Sequence, residues 1–243
     1  MARMHGGQSE YLIKWEKFFK IASFSWLILG LSIGLYGLVF SIINIWLRNI
    51  GIGIGSIMVL ALMFALSRKA DSDAFIAEKF LRGRKGEAVI WYELRKLPNT
   101  YSVFQDVKIN DHSGNIDFVV VGPTGIFAIE VKSHKGVIGF NGDKLIKNGY
   151  PFEEDKDFIK QSSFEAMSLY EYLGQKNFVT PILAFSSSFA RVRFGFKPIK
   201  HGVHVIQKRW LLRMIESQDQ ISYGANTKII EEAILRKTTH QSS

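Results

Sequence analysis

Two long stretches without a formal charge constrain this chain more than any other feature. Residues 21–47 read IASFSWLILGLSIGLYGLVFSIINIWL and residues 49–67 read NIGIGIGSIMVLALMFALS; between Lys20 and Arg68 the only formal charge is Arg48. A helix that crosses a bilayer needs roughly 20 apolar residues. The first run exceeds that length. The second lies at its lower edge, with Gly51, Gly53 and Gly55 at its start. Glycines cost less in a membrane than in water and let helices approach closely. Soluble core helices seldom run so far without a polar face. A cleaved signal peptide would be shorter, would end at a small-residue site, and would not be followed by a second run. The expectation is a transmembrane hairpin with helices at about 21–44 and 50–67, turning near residues 44–51.

Orientation follows from the basic flanks. Arg3, Lys14, Lys17 and Lys20 precede the first run, Arg48 alone lies in the turn, and Arg68, Lys69, Lys79, Arg82, Arg84 and Lys85 follow the second. Lysine and arginine concentrate on the cytoplasmic side. The expectation is a multi-pass protein of the cell membrane with both termini cytoplasmic. The glycines in the spans admit self-association into a homo-oligomer. There is no cysteine, which agrees with a reducing compartment and excludes a disulfide framework, a thiol nucleophile and cysteine-bound metal. Over the whole chain 31 Lys+Arg stand against 22 Asp+Glu, a net charge of +9. That balance favours a polyanionic partner, either nucleic acid or an acidic membrane surface.

Residues 1–70 are thus assigned to the membrane anchor, 71–82 to a juxtamembrane linker or short helix, and 83–243 to a soluble domain. In the last, the pattern alternates. Residues 83–97 carry apolar positions at helical spacing and stop at Pro98. Residues 101–109, 116–121, 126–132 and 136–140 read as strands, with turn chemistry at 110–115 and at Gly122-Pro-Thr-Gly125. A helix follows at about 155–173, then strands at 179–186 and 203–206, then a helical stretch from Gln207. The order predicts an α/β fold, a mixed sheet with helices packed on it.

One constellation carries chemistry. If the turn at Gly122–Gly125 is symmetric, Val121 faces Ile126 and Asp117 faces Glu130. Side chains directly opposite share a face about 5 Å apart, and Lys132, two residues from Glu130, joins them. The other face of that strand is Phe127, Ile129 and Val131, wholly apolar. Facing carboxylates repel, and a hard divalent cation with oxygen ligands relieves that repulsion. A neighbouring ammonium can steady negative charge as it develops. This is the equipment of metal-assisted phosphodiester hydrolysis. Taken alone, D…ExK is short and common, and a lysine pairing with two carboxylates on a wet sheet face is its ordinary reading.

The surrounding frame is more specific. Gly83-Arg-Lys-Gly-Glu87 opens a helix, Tyr101-Ser-Val-Phe-Gln-Asp-Val107 follows, and then comes Gly114-Asn-Ile-Asp-Phe-Val-Val-Val-Gly-Pro-Thr-Gly-Ile-Phe-Ala-Ile-Glu-Val-Lys132, with Gly136-Val-Ile after it. In combination these segments resemble the nuclease-related domain (NERD), a branch of the PD-(D/E)xK, restriction-endonuclease-like superfamily. The resemblance weakens after Phe140. It implies a core of about four mixed strands flanked by helices, Mg²⁺ or Mn²⁺ as cofactor, and a nucleic-acid substrate, DNA ahead of RNA. It implies that Asp117 and Glu130 are metal ligands and Lys132 the catalytic lysine. It further implies that Glu87 binds the metal or its water, and that Gln161 either supports the metal ligands from behind or orients substrate. Without that frame, Glu87 in a first helical turn is ordinary dipole stabilisation. The expected function is a membrane-tethered, metal-dependent nuclease. A non-catalytic nucleic-acid-binding or scaffold module of the same fold is the alternative.

A second feature bears on substrate. From Tyr172 to Ile215 there is no acidic residue. The interval holds Lys176, Arg191, Arg193, Lys197, Lys200, Lys208, Arg209 and Arg213, interleaved with Phe189, Phe194, Phe196 and Trp210. Cations grip phosphates and aromatic rings stack bases. Arg191, Arg193, Lys197 and Lys200 are therefore candidate nucleic-acid contacts, against the plainer reading of a solvated basic edge over core aromatics. His112 and His134 read as surface residues, His134 at the fringe of the site; His201 and His204 lack metal spacing.

Overall fold

The computed structural model describes residues 1–5, 10–47, 52–109, 114–142, 144–152, 157–192, 194–195, 197, 200–219 and 226–239. The chain divides into two compact units, Glu10–Arg82 and Met1–Ser9 together with Gly83–Ser243. The strand β1 (Arg3–His5) and the helices α1 (Glu10–Leu47) and α2 (Ile52–Leu94) come first along the chain. Residues 71–82, expected to be a linker or a short helix, are helical and part of the longer α2.

In the first unit, α1 packs along α2 through a glycine seam. A Cβ on Gly34 would lie 2.5 Å from Met63 Cε, and one on Gly37 would lie 2.7 Å from Val59 Cγ1. A Cβ on Gly30 would lie 3.9 Å from Leu66 Cβ. Positions that rise along α1 meet positions that fall along α2, so the two helices run antiparallel. The Lys69 ammonium sits 4.1 Å from the Trp26 ring centre. Ile21, Phe24, Leu35, Tyr36 and Ile42 face outward and are exposed. Among the described residues one helical segment, Ile21–Ile43, is long and apolar enough to cross a membrane. The expected second run begins outside the described residues, at 49–51, as does the second half of the expected turn, 48–51, whereas 44–47 are the end of α1.

The second unit is a mixed α/β structure with helices on both sides of a sheet. Its strands are β1, β2 (Ser102–Val107), β3 (Ile116–Gly122), β4 (Gly125–Lys132), β5 (Gly136–Asn141), β6 (Lys144–Lys147), β7 (Tyr150–Pro151), β8 (Val179–Phe185), β9 (Ala190–Val192) and β10 (His204–Gln207). Its helices, after the end of α2, are α3 (Phe158–Tyr172), α4 (Leu211–Glu216) and α5 (Asn226–Thr239). The central sheet has six strands in the order β1-β2-β3-β4-β8-β10, not the expected four. The additions are β1, which lies parallel to β2, and β10, parallel to β8. β5 leaves this sheet for a second one, ordered β7-β6-β5-β9. The departure occurs at Gly136, whose φ of 106° suits glycine and whose missing Cβ makes room for Asn148.

Both faces of the central sheet are buried, so its middle strands show continuous apolar runs instead of alternation. Phe118, Val120, Phe127 and Ile129 pack with Ile90 and Leu94 of α2 and with Leu211, Met214 and Ile215 of α4 and its end. Val119, Val121, Ile126 and Ala128 pack with Ala166 and Leu169 of α3 and Ile230 and Ile234 of α5. The β3–β4 register is the symmetric one: Val121 pairs with Ile126 and Phe118 with Ile129. Gly122 is required because a Cβ there would lie 2.0 Å from the Tyr101 ring. The Tyr101 hydroxyl in turn shares a 3.0 Å hydrogen bond with Thr124 in the turn. β1 is fastened by more than its ladder. Arg3 pairs with Glu231 of α5 at 2.6 Å, and the His5 ring stacks on Phe104 at 4.8 Å.

Candidate active site

At the open end of the β3–β4 hairpin the ladder stops after Phe118 and Ile129. One residue further stand Asp117 and Glu130. The Val131 amide donates to Asp117 Oδ2 at 2.7 Å, so a side chain takes the role of a ladder carbonyl. Glu130 is 4% exposed. Lys132 donates to Glu130 Oε1 at 2.5 Å. The helix α3, which covers this face, begins at Asp157, whose carboxylate caps Ile159 and Lys160. Its first turns present Gln161, whose Nε2 donates to Glu130 Oε1 at 2.8 Å and to Glu165 Oε1 at 2.9 Å. Gln161 Oε1 lies 3.5 Å from Lys132 Nζ. The Lys132 ammonium also sits 4.7 Å from the Phe158 ring centre. Glu130, Lys132 and Gln161 thus form one bonded group.

Glu87 arrives from the opposite side, on α2. The helix approaches closely there because residue 86 is glycine: a Cβ would lie 2.7 Å from Ser186 Oγ and 3.1 Å from Ser133 Cβ. Both serines directly follow strand ends, of β8 and β4, so Glu87 is held where those parallel strands terminate.

The electrostatics tie these groups together. Burial, then the Asp106 and Glu130 carboxylates, raise the Glu87 pKa to about 7. Burial, then Glu130 and Glu87, hold Asp117 well above the usual carboxylate range, against the pull of the Val131 amide and of Lys132. Asp117 keeps some solvent contact, yet it is densely surrounded by protein. Burial disfavours the Lys132 ammonium, but the adjacent Glu130 more than offsets this and its pKa is raised. Carboxylates crowded in low dielectric favour whatever cation neutralises them, a proton included.

Two carboxylates at this site escaped the sequence reading. Glu165 is 2% exposed, and burial, then Glu130, raise its pKa to about 8. Its position four residues after Gln161 on one helix face was a usable signal. Asp106 has φ 57° and interrupts the β2–β3 ladder between Gln105 and Val107. Its carboxylate accepts from Asn115 Nδ2 at 2.6 Å, which gives Asn115 a structural task. No short pattern announces a left-handed aspartate inside a strand.

The donor chemistry fits a hard divalent cation, since every candidate ligand is a carboxylate oxygen. Among the described residues no group of three or more His, Cys, Asp or Glu is gathered closely enough to hold a metal by itself. Mg²⁺ ordinarily uses one or two carboxylates and completes its shell with water and substrate phosphate. Asp117 and Glu130, with Glu87 beyond them, suit that mode and not an all-protein cage.

Arg191 is exposed on β9, in register with Val137 of β5, and Lys197 is exposed. Arg193, Phe196 and His112 lie outside the described residues, as does the side chain of Lys200. The aromatic residues divide: Phe194 packs edge-on against Phe140 at 5.4 Å in a core cluster, whereas Phe189 is 72% exposed. His134 packs on Phe152 at 4.9 Å and near Phe158, and His201 is exposed with φ 58°.

Comparison with known proteins places the site within a family frame. Residues 82–186 match the model of the nuclease-related domain (NERD). The match runs past Phe140 to the end of β8 and encloses Glu87, Asp106, Asp117, Glu130, Lys132, Gln161 and Glu165. No curated protein and no solved structure matches the chain.

Proposed function

Starting from a nuclease-related domain at residues 82–186, we propose that this chain is a membrane-tethered nuclease that hydrolyses phosphodiester bonds with Mg²⁺ or Mn²⁺. The observation that carries the reading is the group Asp117, Glu130 and Lys132, with Gln161 bonded to Glu130 at the mouth of a hairpin that is otherwise apolar. A module kept only for binding has no use for buried carboxylates that raise one another's proton affinity. The fold assigned is the restriction-endonuclease-like one, with the six-stranded sheet as an elaborated core.

Asp117 and Glu130 would hold the cation, which supplies charge neutralisation at phosphate oxygens and a more acidic water. The protein's own groups do the rest. Gln161 fixes the Glu130 carboxylate, and Glu165 fixes Gln161. Lys132, kept protonated by Glu130, places a positive charge where negative charge builds on the phosphoryl group. Glu87 orients the attacking water from the α2 side. The water oxygen bonds to phosphorus in line with the P–O bond that breaks, and the proton that the water gives up ends on the departing oxygen.

The tether is argued from topology. β1 precedes α1 and β2 follows α2, yet the two pair in one sheet. A chain that leaves this sheet and returns to it crosses a membrane an even number of times. With Ile21–Ile43 as one crossing, the first part of α2 is the other. The basic flanks support a cytoplasmic domain. A reporter fused after Ser243 should behave as cytoplasmic; external reporter activity would reject the topology.

The activity test uses the full chain in detergent, with single-stranded DNA, duplex DNA and RNA, in Mg²⁺, Mn²⁺ or EDTA. Cleavage should require metal. Asp117→Ala, Glu130→Ala and Lys132→Ala should each lower it by about 100-fold or more while circular dichroism stays native. Undiminished cutting by these variants would assign the activity to another site or a contaminant.

A further inference from the structure

Beyond the site, at the β10 edge of the central sheet, lies a cleft of about 280 Å³ lined by Val192, Val205, Ile206, Gln207, Trp210 and Arg213 among others. Its position follows from register. Lys132 of β4 pairs with Phe185 of β8, and Phe185 pairs with Gln207 of β10, all in parallel strands. In-register neighbours in a sheet send side chains to the same face, and strands lie about 4.8 Å apart. Gln207 therefore ends the same row as Lys132, on the same face, on the order of 10 Å away. Phe185, between them, is fully buried, so a strand that joins the two places passes around this row and not along it.

The chemistry of the cleft is specific. Val192, Val205 and Ile206 make an apolar floor. Trp210 is 37% exposed, and the guanidinium carbons of Arg209 and Arg213 stand 5.3 and 5.7 Å from its ring centre. Gln207 Nε2 donates to the Val192 carbonyl at 3.5 Å, which ties β10 to β9 beneath the cleft. The surrounding sequence, residues 172–215, contains cations and no carboxylate. A planar aromatic group that carries a negative charge complements an indole flanked by guanidiniums. The volume suits about one base and its sugar and is small for anything larger. A base inside a duplex has its faces covered by its neighbours and its edge held by its partner, and the cleft is too small for a base pair, so the occupant is unpaired.

We infer that this cleft is a subsite for one unpaired nucleotide, and that the strand presented to Glu130 and Lys132 is single-stranded nucleic acid or a single-stranded end. The assignment of the strand's destination rests on the nuclease reading; the cleft's preference for an unpaired nucleotide does not. Trp210 stacks the base and Arg213 meets its phosphate.

The test uses the full chain in detergent with EDTA, so that binding is read without cleavage. The probes are a labelled oligothymidylate and a blunt duplex of equal length, followed by fluorescence anisotropy. The single strand should bind more tightly. Trp210→Ala should weaken it by about tenfold and move the duplex by less than about twofold. Trp210→Phe should retain most of the affinity, and Arg213→Ala should weaken binding and flatten its salt dependence. Equal losses on both probes, or no loss on either, would overturn the subsite. If Trp210→Ala disturbs the fold, Arg213→Ala decides: a strand-selective loss supports the cleft and an unchanged affinity rejects it. The same preparations are then assayed in Mg²⁺. Strand-selective binding without any cleavage would sink the nuclease reading and leave the cleft standing, whereas cleavage that prefers blunt duplex would sink the cleft alone.

Discussion

From Phe118 to Gly122 and from Gly125 to Ile129 the β3–β4 hairpin pairs residue for residue, and every side chain it carries there is apolar and buried. One residue beyond, at Asp117 and Glu130, the ladder gives way to carboxylates, an ammonium and an amide. The two ends of one ribbon obey different rules. At the turn end, burial of apolar area and continuous backbone bonds both favour folding. At the open end, charges are withdrawn from water and crowded together, which opposes folding unless each is bonded. The turn end holds the open end in a geometry that it would not adopt alone.

That contrast can be broken or sharpened by substitution. The largest expected effect is at the turn end. Phe127→Ala should cost about 3–5 kcal/mol, read by urea unfolding of the full chain in detergent, and should remove activity only by unfolding the domain. A loss below about 1 kcal/mol would mean that the apolar half is not what supports the site. Next comes the open end, where Glu165→Gln should stabilise the protein. The Glu165 pKa is raised to about 8, so the folded state binds its proton more tightly than the unfolded chain does. Stability from this group is present at low pH and falls as pH rises from about 4.5 through 8. The variant should match the parent near pH 4.5 and exceed it by roughly 1–3 kcal/mol at pH 8 in EDTA. A gain that is independent of pH would show that the charge of Glu165 is already compensated. The smallest effect is on Gln161. Gln161→Ala should slow cleavage by about tenfold with little change in melting temperature, because the Lys132–Glu130 pair remains; a large stability loss would move Gln161 to the structural side of the comparison.

The turn end was legible because two rules sufficed, a Gly-Pro-Thr-Gly turn and strands with apolar faces, and together they set the register that places Asp117 beside Glu130. The helix contributions of Glu87 and Gln161 became readable only through the family resemblance, since neither residue has a local pattern that separates it from an ordinary surface position. Other parts had no local signal at all. β1 is three residues long, and the contacts that make it a strand, the open edge of β2 and Glu231 of α5, lie about a hundred residues or more away along the chain. Asp106 breaks the alternation of β2 through its backbone. Phe104 and Val107, three apart, consequently face the same cluster, a spacing that a regular strand forbids. The basic stretch misled in part, because composition does not say whether a phenylalanine faces solvent, like Phe189, or the core, like Phe194.

The pairing of Arg3–His5 with Ser102–Phe104 carries a consequence for biogenesis. Residues 3–5 leave the ribosome long before their partner strand has been synthesised, and both hydrophobic runs are translated in between. The outermost strand of the sheet therefore docks late, after the intervening helices have been made. A fusion or trimming that hinders those few residues leaves the β2 edge uncovered, and an uncovered edge invites pairing between nascent chains.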